Sequence, residues 1–257
     1  MLTPPEIARS LLAAGESKAR LPFGKMLLLA ILAGAYIALA GVGATAAAVT
    51  VESGSLAKLL SACVFPAGLS MVILAGSELF TGNCLMVMAL LERRITPAQL
   101  LRNWLTVYLG NAVGGAAVAA LAVYSHTASL FGDGLARSMV SIAESKAALG
   151  FGDAFLRGVL CNFLVCLAVW MAAASKRAEG KVIALFFPIL LFVLCGYEHC
   201  IANLYYLPAG AFAAAEYGME TTLTLARCLK NLAAVTLGNL VGGAALGVGY
   251  RFAYLKE

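Results

Sequence analysis

The sequence predicts an all-α integral membrane protein whose six membrane-spanning segments form two related halves. Three observations carry this. The residues are 62% hydrophobic and only 12% charged, with a mean hydropathy of +0.91. Long apolar runs recur along the whole chain, and two stretches of the first half return in register in the second.

A 257-residue chain of this composition carries more apolar surface than a soluble domain of its size can hide, so a bilayer is its expected solvent. The formal charge of +5 does not point to nucleic acid, because the basic residues fall in short clusters between apolar runs. The whole of residues 1–257 is read as one transmembrane domain.

Met1 to Lys25 lacks the compact apolar stretch and small-residue cleavage site of a secretory leader and is read as retained. Ile7, Leu11 and Leu12 follow a helical spacing, with Thr3 as a cap and Pro4 and Pro5 at the first turn. Residues 1–25 are therefore expected to form a cytoplasmic amphipathic helix at the membrane interface.

Crossing about 30 Å of hydrocarbon takes about 20 helical residues, and the runs near 26 to 49, 104 to 124, 155 to 174 and 232 to 250 meet that length. Runs 59 to 91 and 182 to 214 are 33 residues each. As straight helix each would span about 50 Å, so each is expected to break, tilt or protrude. Each contains a polar interruption: Gly76-Ser77-Glu78-Leu79-Phe80-Thr81-Gly82-Asn83 in one, Gly196-Tyr197-Glu198-His199-Cys200-Ile201-Ala202-Asn203 in the other. The octets share Gly, Glu and Asn in register.

A second pair confirms the duplication. Asn103 to Gly115 (NWLTVYLGNAVGG) and Asn231 to Gly243 (NLAAVTLGNLVGG) share both Asn, the Leu-Gly-Asn core and the Val-Gly-Gly end. Three spans per half is an odd number, so the second half lies inverted relative to the first, and matched interrupted helices place a binding or permeation site between them.

Arg9, Lys18, Arg20, Lys25, Arg93, Arg94, Arg102, Lys176, Arg177, Lys181, Arg251 and Lys256 fall on one side of the membrane. Lys58, Arg137, Lys146, Arg157, Arg227 and Lys230 fall on the other. The imbalance places both termini in the cytoplasm. Ser125 to Asp153 is long enough for a modest extracellular cap.

A helix broken in lipid strands N–H and C=O groups at several kcal/mol each, so a break is tolerated only inside protein or beside a polar passage. A helix beginning there presents about +0.5 charge, which favours an anion. Thr81 adds a hydroxyl and His199 an imidazole at mid-depth, where an isolated charge is costly, so His199 is expected to rest neutral. An approaching anion favours its protonated form, so the anion is expected to take up a proton there or share one by hydrogen bond.

Glu78 and Glu198 adjoin the new helix starts and are expected to cap stranded N–H groups. Leu69, Leu79, Phe80 and Phe192 flank the breaks, where packing is the ordinary role of such residues. Asn162 and Asn239 lie in apolar spans, as helix glue or as pore lining. The dense glycines of the first and last spans allow close helix contact within or between protomers. Seven cysteines without a CxxC pair argue against a redox framework, and no cofactor or metal is expected. A metal-binding membrane protein using Cys195, His199 and Cys200 is the rival from another class. A water or glycerol channel would carry a duplicated Asn-Pro-Ala, which is missing here.

The two octets resemble the signature regions of the formate/nitrite transporter family. Asn103-Trp104 through Gly110-Asn111, Cys161-Asn162 with Val165 to Met171, and Thr236-Leu237-Gly238-Asn239 resemble further family blocks in the family's order. The resemblance thus covers nearly the whole chain. It implies an aquaporin-like protomer of six spans in a 3+3 inverted repeat, assembled as a homopentamer in a bacterial-type inner membrane.

It also implies that Thr81 sits on a mobile loop opposite a central His199. Leu69, Leu79, Phe80 and Phe192 would form two apolar constrictions, and Lys146 would attract anions in an outer vestibule. The permeant is then a small weak-acid anion moving with a proton, donated either by His199 or by bulk water. Glu198 to Gly210 looks closest to the formate and hydrosulfide branches, with formate first. Gly82-Asn83-Cys84 departs from the commoner formate pattern and leaves hydrosulfide and nitrite as alternatives.

Overall fold

Helix α1 (Pro4–Ala19) begins at Thr3, whose backbone N–H and hydroxyl both donate to the Glu6 carboxylate at 2.7 Å. It buries Ile7, Ala8 and Ala19 against the body of the protein. The computed structural model describes residues 1–255, so Lys256, counted above among the cytoplasmic basic residues, lies outside them.

The first half continues with α2 (Phe23–Ala46), then α3 (Gly54–Val64) and α4 (Pro66–Ala75), which together form one 22-residue unit. After the break come α5 (Phe80–Asn83), a 3-10 turn over Cys84–Met86 and α6 (Val87–Leu91). Thr96 caps α7 (Pro97–Tyr124) by accepting from Gln99 N. The expected cap between the halves contains α8 (Gly134–Ala148), which packs on the second half. That half holds α9 (Phe151–Ala173), α10 (Ala178–Leu194), α11 (Cys200–Glu216) and α12 (Leu225–Tyr254).

Six crossings result: α2, the broken unit α3 to α6, α7, α9, the broken pair α10 and α11, and α12. Both interruptions fall where the sequence places them. In each, a glycine with positive φ ends the incoming helix, Gly76 at 78° and Gly196 at 70°, a region costly for any residue with a Cβ.

The repeat is visible in packing as well as sequence. A Cβ on Gly114 would come within 2.0 Å of Ile31 O where α7 crosses α2, and one on Gly242 within 2.0 Å of Val159 O where α12 crosses α9. These small-residue faces therefore serve contacts within the protomer, the question the sequence left open.

One asymmetry has a local cause. Downstream of the first break the helix tightens into a 3-10 turn, whereas α11 runs through the equivalent stretch unbroken. The indole of Trp104 donates to Asn83 O at 3.0 Å, and Val87 N turns to Cys84 O instead. The repeat counterpart of Trp104 is Leu232, which has no donor to offer.

Candidate functional site

Each break is held by the same set of side chains. In the first, Asn111 on α7 accepts from Phe80 N at 3.0 Å and donates to Ala30 O at 2.7 Å and Glu78 O at 2.9 Å. In the second, Asn239 on α12 accepts from Cys200 N at 2.9 Å and donates to Gly158 O at 2.8 Å and Glu198 O at 2.9 Å. One amide in each half thus satisfies a helix-start N–H and two carbonyls that lipid could not satisfy.

The glutamates stand one step back. Glu78 accepts from Asn83 at 2.7 Å and pairs with Lys18 of α1 at 2.7 Å, while Asn83 also donates to Asn103 at 2.9 Å. Glu198 accepts from Asn203 at 2.7 Å and pairs with Lys146 of α8 at 2.9 Å, while Asn203 also donates to Asn231 at 2.8 Å. The expectation that the glutamates cap stranded N–H groups is therefore corrected: Asn111 and Asn239 cap, and the glutamates tie the asparagines to a lysine. Lys18 is a member of this scaffold that the sequence did not single out. Only its position relative to Lys146 in the repeat could have shown it.

The two breaks also touch each other. Thr81 Oγ1 lies 2.9 Å from His199 Nε2, and both residues are buried. Ala202 N donates to His199 Nδ1 at 3.0 Å, which assigns the proton of the neutral ring to Nε2, so Nε2–H donates to the threonine hydroxyl. Asn162 donates to Asn239 O at 2.6 Å and, with the Cys166 thiol, to Thr81 O at 3.3 Å. Asn162 and Asn239 are both fully buried and spend their amides on backbone, so they act as helix glue and not as pore lining.

Three cavities lie in sequence along one face of the α3–α4 unit. On the Lys146 side a cavity of about 120 Å³ is lined by Lys58, Ser61, Phe65, Phe192, Tyr197 and His199. The middle one, about 10 Å³, lies among Phe65, Leu69, Leu79, Ile189, Phe192 and His199, and at that size it has room for about one water. On the Lys18 side a cavity of about 290 Å³ is lined by Lys18, Leu69, Val72, Glu78, Leu79 and Gly82. Leu69, Leu79 and Phe192 thus sit at an apolar waist beside His199.

Phe80 does not. It turns away to pack edge-on against Trp104 and Tyr108, with centroids at 6.4 and 5.1 Å, and it lines an outward-facing apolar groove. Its own N–H is bound to Asn111, which fixes the start of α5 and sends the side chain toward α7. Phe65 stands at the waist where Phe80 was expected, meeting Phe192 edge-on at 5.7 Å. Sequence reasoning missed Phe65 because an aromatic residue in an apolar run carries no polar marker. Thr81 sits in the short helical turn of α5, with its carbonyl and its hydroxyl both engaged. Among the described residues no cluster of three His, Cys, Asp or Glu side chains is placed to hold a metal, and Cys195 is exposed while Cys200 is buried.

Comparison with known proteins agrees with this architecture. The sequence profile of the formate/nitrite transporter family matches residues 5–253. A "probable formate transporter" of Methanothermobacter thermautotrophicus is 38% identical over 99% of this chain and 98% of its own. The formate channel FocA of Haemophilus influenzae is 38% identical over 86% of this chain and 84% of its own. Among solved structures, an FNT family ion channel superposes with a TM-score of 0.86 at 32% identity, covering 96% of this chain and 98% of the other. A pentameric formate channel with formate bound superposes at 0.80 and 33% identity, covering 91% and 98%.

Proposed function

The chain belongs to the formate/nitrite transporter family, and from that premise we propose that it conducts formate across a bacterial-type inner membrane as a homopentamer, each protomer enclosing its own pore. In this reading both termini face the cytoplasm, so the Lys18 cavity opens inward and the Lys146 cavity outward.

The observation that carries the mechanism is the His199 Nε2 to Thr81 Oγ1 contact at 2.9 Å, set at a waist otherwise lined by apolar side chains. A bare carboxylate loses its hydration there at a cost of many kcal/mol, whereas the neutral acid gives up far less, a few kcal/mol that hydrogen bonds at the waist can offset. Formate reaching the waist takes one proton, crosses as formic acid and releases the proton on the far side, so one proton moves with each formate.

His199 acts in this scheme as a neutral hydrogen-bond donor. Nδ1 already accepts from Ala202 N, so an imidazolium would forfeit a helix-start hydrogen bond and leave Ala202 N–H unpaired. Nε2–H can turn from Thr81 to the substrate, and the Thr81 hydroxyl can donate beside it. The proton itself is then drawn from water in the flanking cavity. The test is uptake of formate, nitrite and hydrosulfide by liposomes holding the purified protein, compared at several pH values. Formate flux well above that of empty liposomes supports the proposal, and flux of none of the three would overturn it.

A further inference from the structure

The inner cavity, on the Lys18 side, has a wall whose polar side chains are committed to one another with one exception. Glu78 pairs with Lys18 at 2.7 Å and accepts from Asn83 at 2.7 Å, and Asn83 spends its other amide hydrogen on Asn103 at 2.9 Å. The exception is Ser77. It lines the same cavity, is only 8% exposed, and its hydroxyl is buried without a hydrogen-bond partner among the described residues. A buried hydroxyl kept for the fold alone would have a partner in it, because leaving it unpaired costs free energy.

The break explains where this hydroxyl stands. Gly76, at φ 78°, ends α4, and Ser77 N donates back to Val72 O at 2.9 Å, so Ser77 opens the non-helical segment that runs to Leu79. Leu79, two residues on, lines both the inner cavity and the waist. The Ser77 hydroxyl is therefore held close along the chain to the side chain that closes the waist from the inner side. At the spacing of 120 residues that relates the two breaks, its counterpart is Tyr197, a half-buried residue that lines the outer cavity. Each half thus puts a hydroxyl-bearing residue just past its left-handed glycine.

We propose that the Ser77 hydroxyl is a binding station for small oxyanions on the inner side of the waist. A hydroxyl carries one donor and two acceptor lone pairs. It can accept from the O–H of the neutral acid and, once that proton has left, donate to a carboxylate oxygen. The inference rests on the channel reading above and gives it a substrate class. Formate and nitrite present oxygen acceptors, whereas hydrosulfide presents sulfur, a weak acceptor. A site that hydrogen-bonds its substrate discriminates against an analogue that bonds poorly, and loses that discrimination when the group is removed.

The test uses the full-length protein in liposomes, with Ser77→Ala and Ser77→Thr compared with the unaltered chain. Uptake of formate and of hydrosulfide is followed against concentration, and thermal unfolding of each variant is measured in detergent. Ser77→Ala is expected to raise the half-saturating formate concentration about three- to tenfold, the scale of one hydrogen bond exchanged with water. The shift for hydrosulfide should be clearly smaller, so the ratio of formate to hydrosulfide uptake at low concentration falls. Ser77→Thr keeps the hydroxyl and should recover most of the loss. Because the hydroxyl has no partner to strand, the unfolding midpoint of Ser77→Ala should equal or exceed the parent's. An unmoved half-saturation for formate, an equal shift for hydrosulfide, or a shift accompanied by a lowered midpoint would overturn the assignment. Absence of flux in the unaltered protein would instead overturn the channel reading and the assignment with it.

Discussion

Thr81 and His199, 118 residues apart in sequence, meet at 2.9 Å between Oγ1 and Nε2, and neither residue's repeat counterpart could form the same bond. Ile201 stands where Thr81 does, and Leu79 stands where His199 does. The scaffold of glutamate, asparagine and lysine is duplicated, but the polar pair at the waist occurs once. An inverted duplication alone would give a symmetric apolar waist, so the chemistry comes from two departures from the repeat.

The capping amides should be far less replaceable than their position outside the waist implies. Asn239→Ala leaves Cys200 N, Gly158 O and Glu198 O without partners, and Asn111→Ala does the same to Phe80 N, Ala30 O and Glu78 O. At about 1–3 kcal/mol per stranded buried group, either change is expected to destabilise by several kcal/mol. Thermal unfolding in detergent checks this, and a midpoint within error of the parent would show that water or a shift in backbone replaces the amide.

Helix crossings within the protomer set a second expectation. Gly242→Ala places a methyl group within 2.0 Å of Val159 O, so α9 and α12 must separate, with poor yield or an aggregated product. Gly249→Ala, with nothing within 4 Å, should behave as the parent. Size-exclusion profiles of the two purified variants distinguish these outcomes.

Phe65 and Phe192 close the waist from the outer side. Phe65→Ala removes one ring of that edge-on pair and enlarges a cavity that now holds about 10 Å³. The ratio of acetate to formate uptake should rise several-fold, because the extra methyl of acetate no longer meets the ring. An unchanged ratio would place the size filter elsewhere.

What the sequence could reveal followed from which signals are local. Gly76 and Gly196, the octet register and the Leu-Gly-Asn repeat are contiguous patterns, so both breaks and the inversion were legible. Roles that depend on where a side chain points were not. Phe80 adjoins a break in sequence yet faces α7, because its N–H is fixed by Asn111. Phe65 is eleven residues upstream of Gly76 and reaches the waist only because α3 and α4 run as one unit. The capping role given to Glu78 and Glu198 belonged to asparagines on other helices, and the Lys18 pairing spans 60 residues.

The central claim is that formate passes the waist with a proton while a neutral His199 donates a hydrogen bond to it. Liposomes carrying a pH-sensitive dye inside, given formate outside from about pH 5 to about pH 8, test both parts together. The parent protein should acidify the lumen in step with formate uptake. His199→Ala, folded as judged by its unfolding midpoint, should lower the flux by about tenfold or more, the scale of losing one hydrogen bond to a charged group, and should change its pH profile. Formate uptake without luminal acidification, or a His199→Ala variant with the parent's flux and pH profile, would contradict the account.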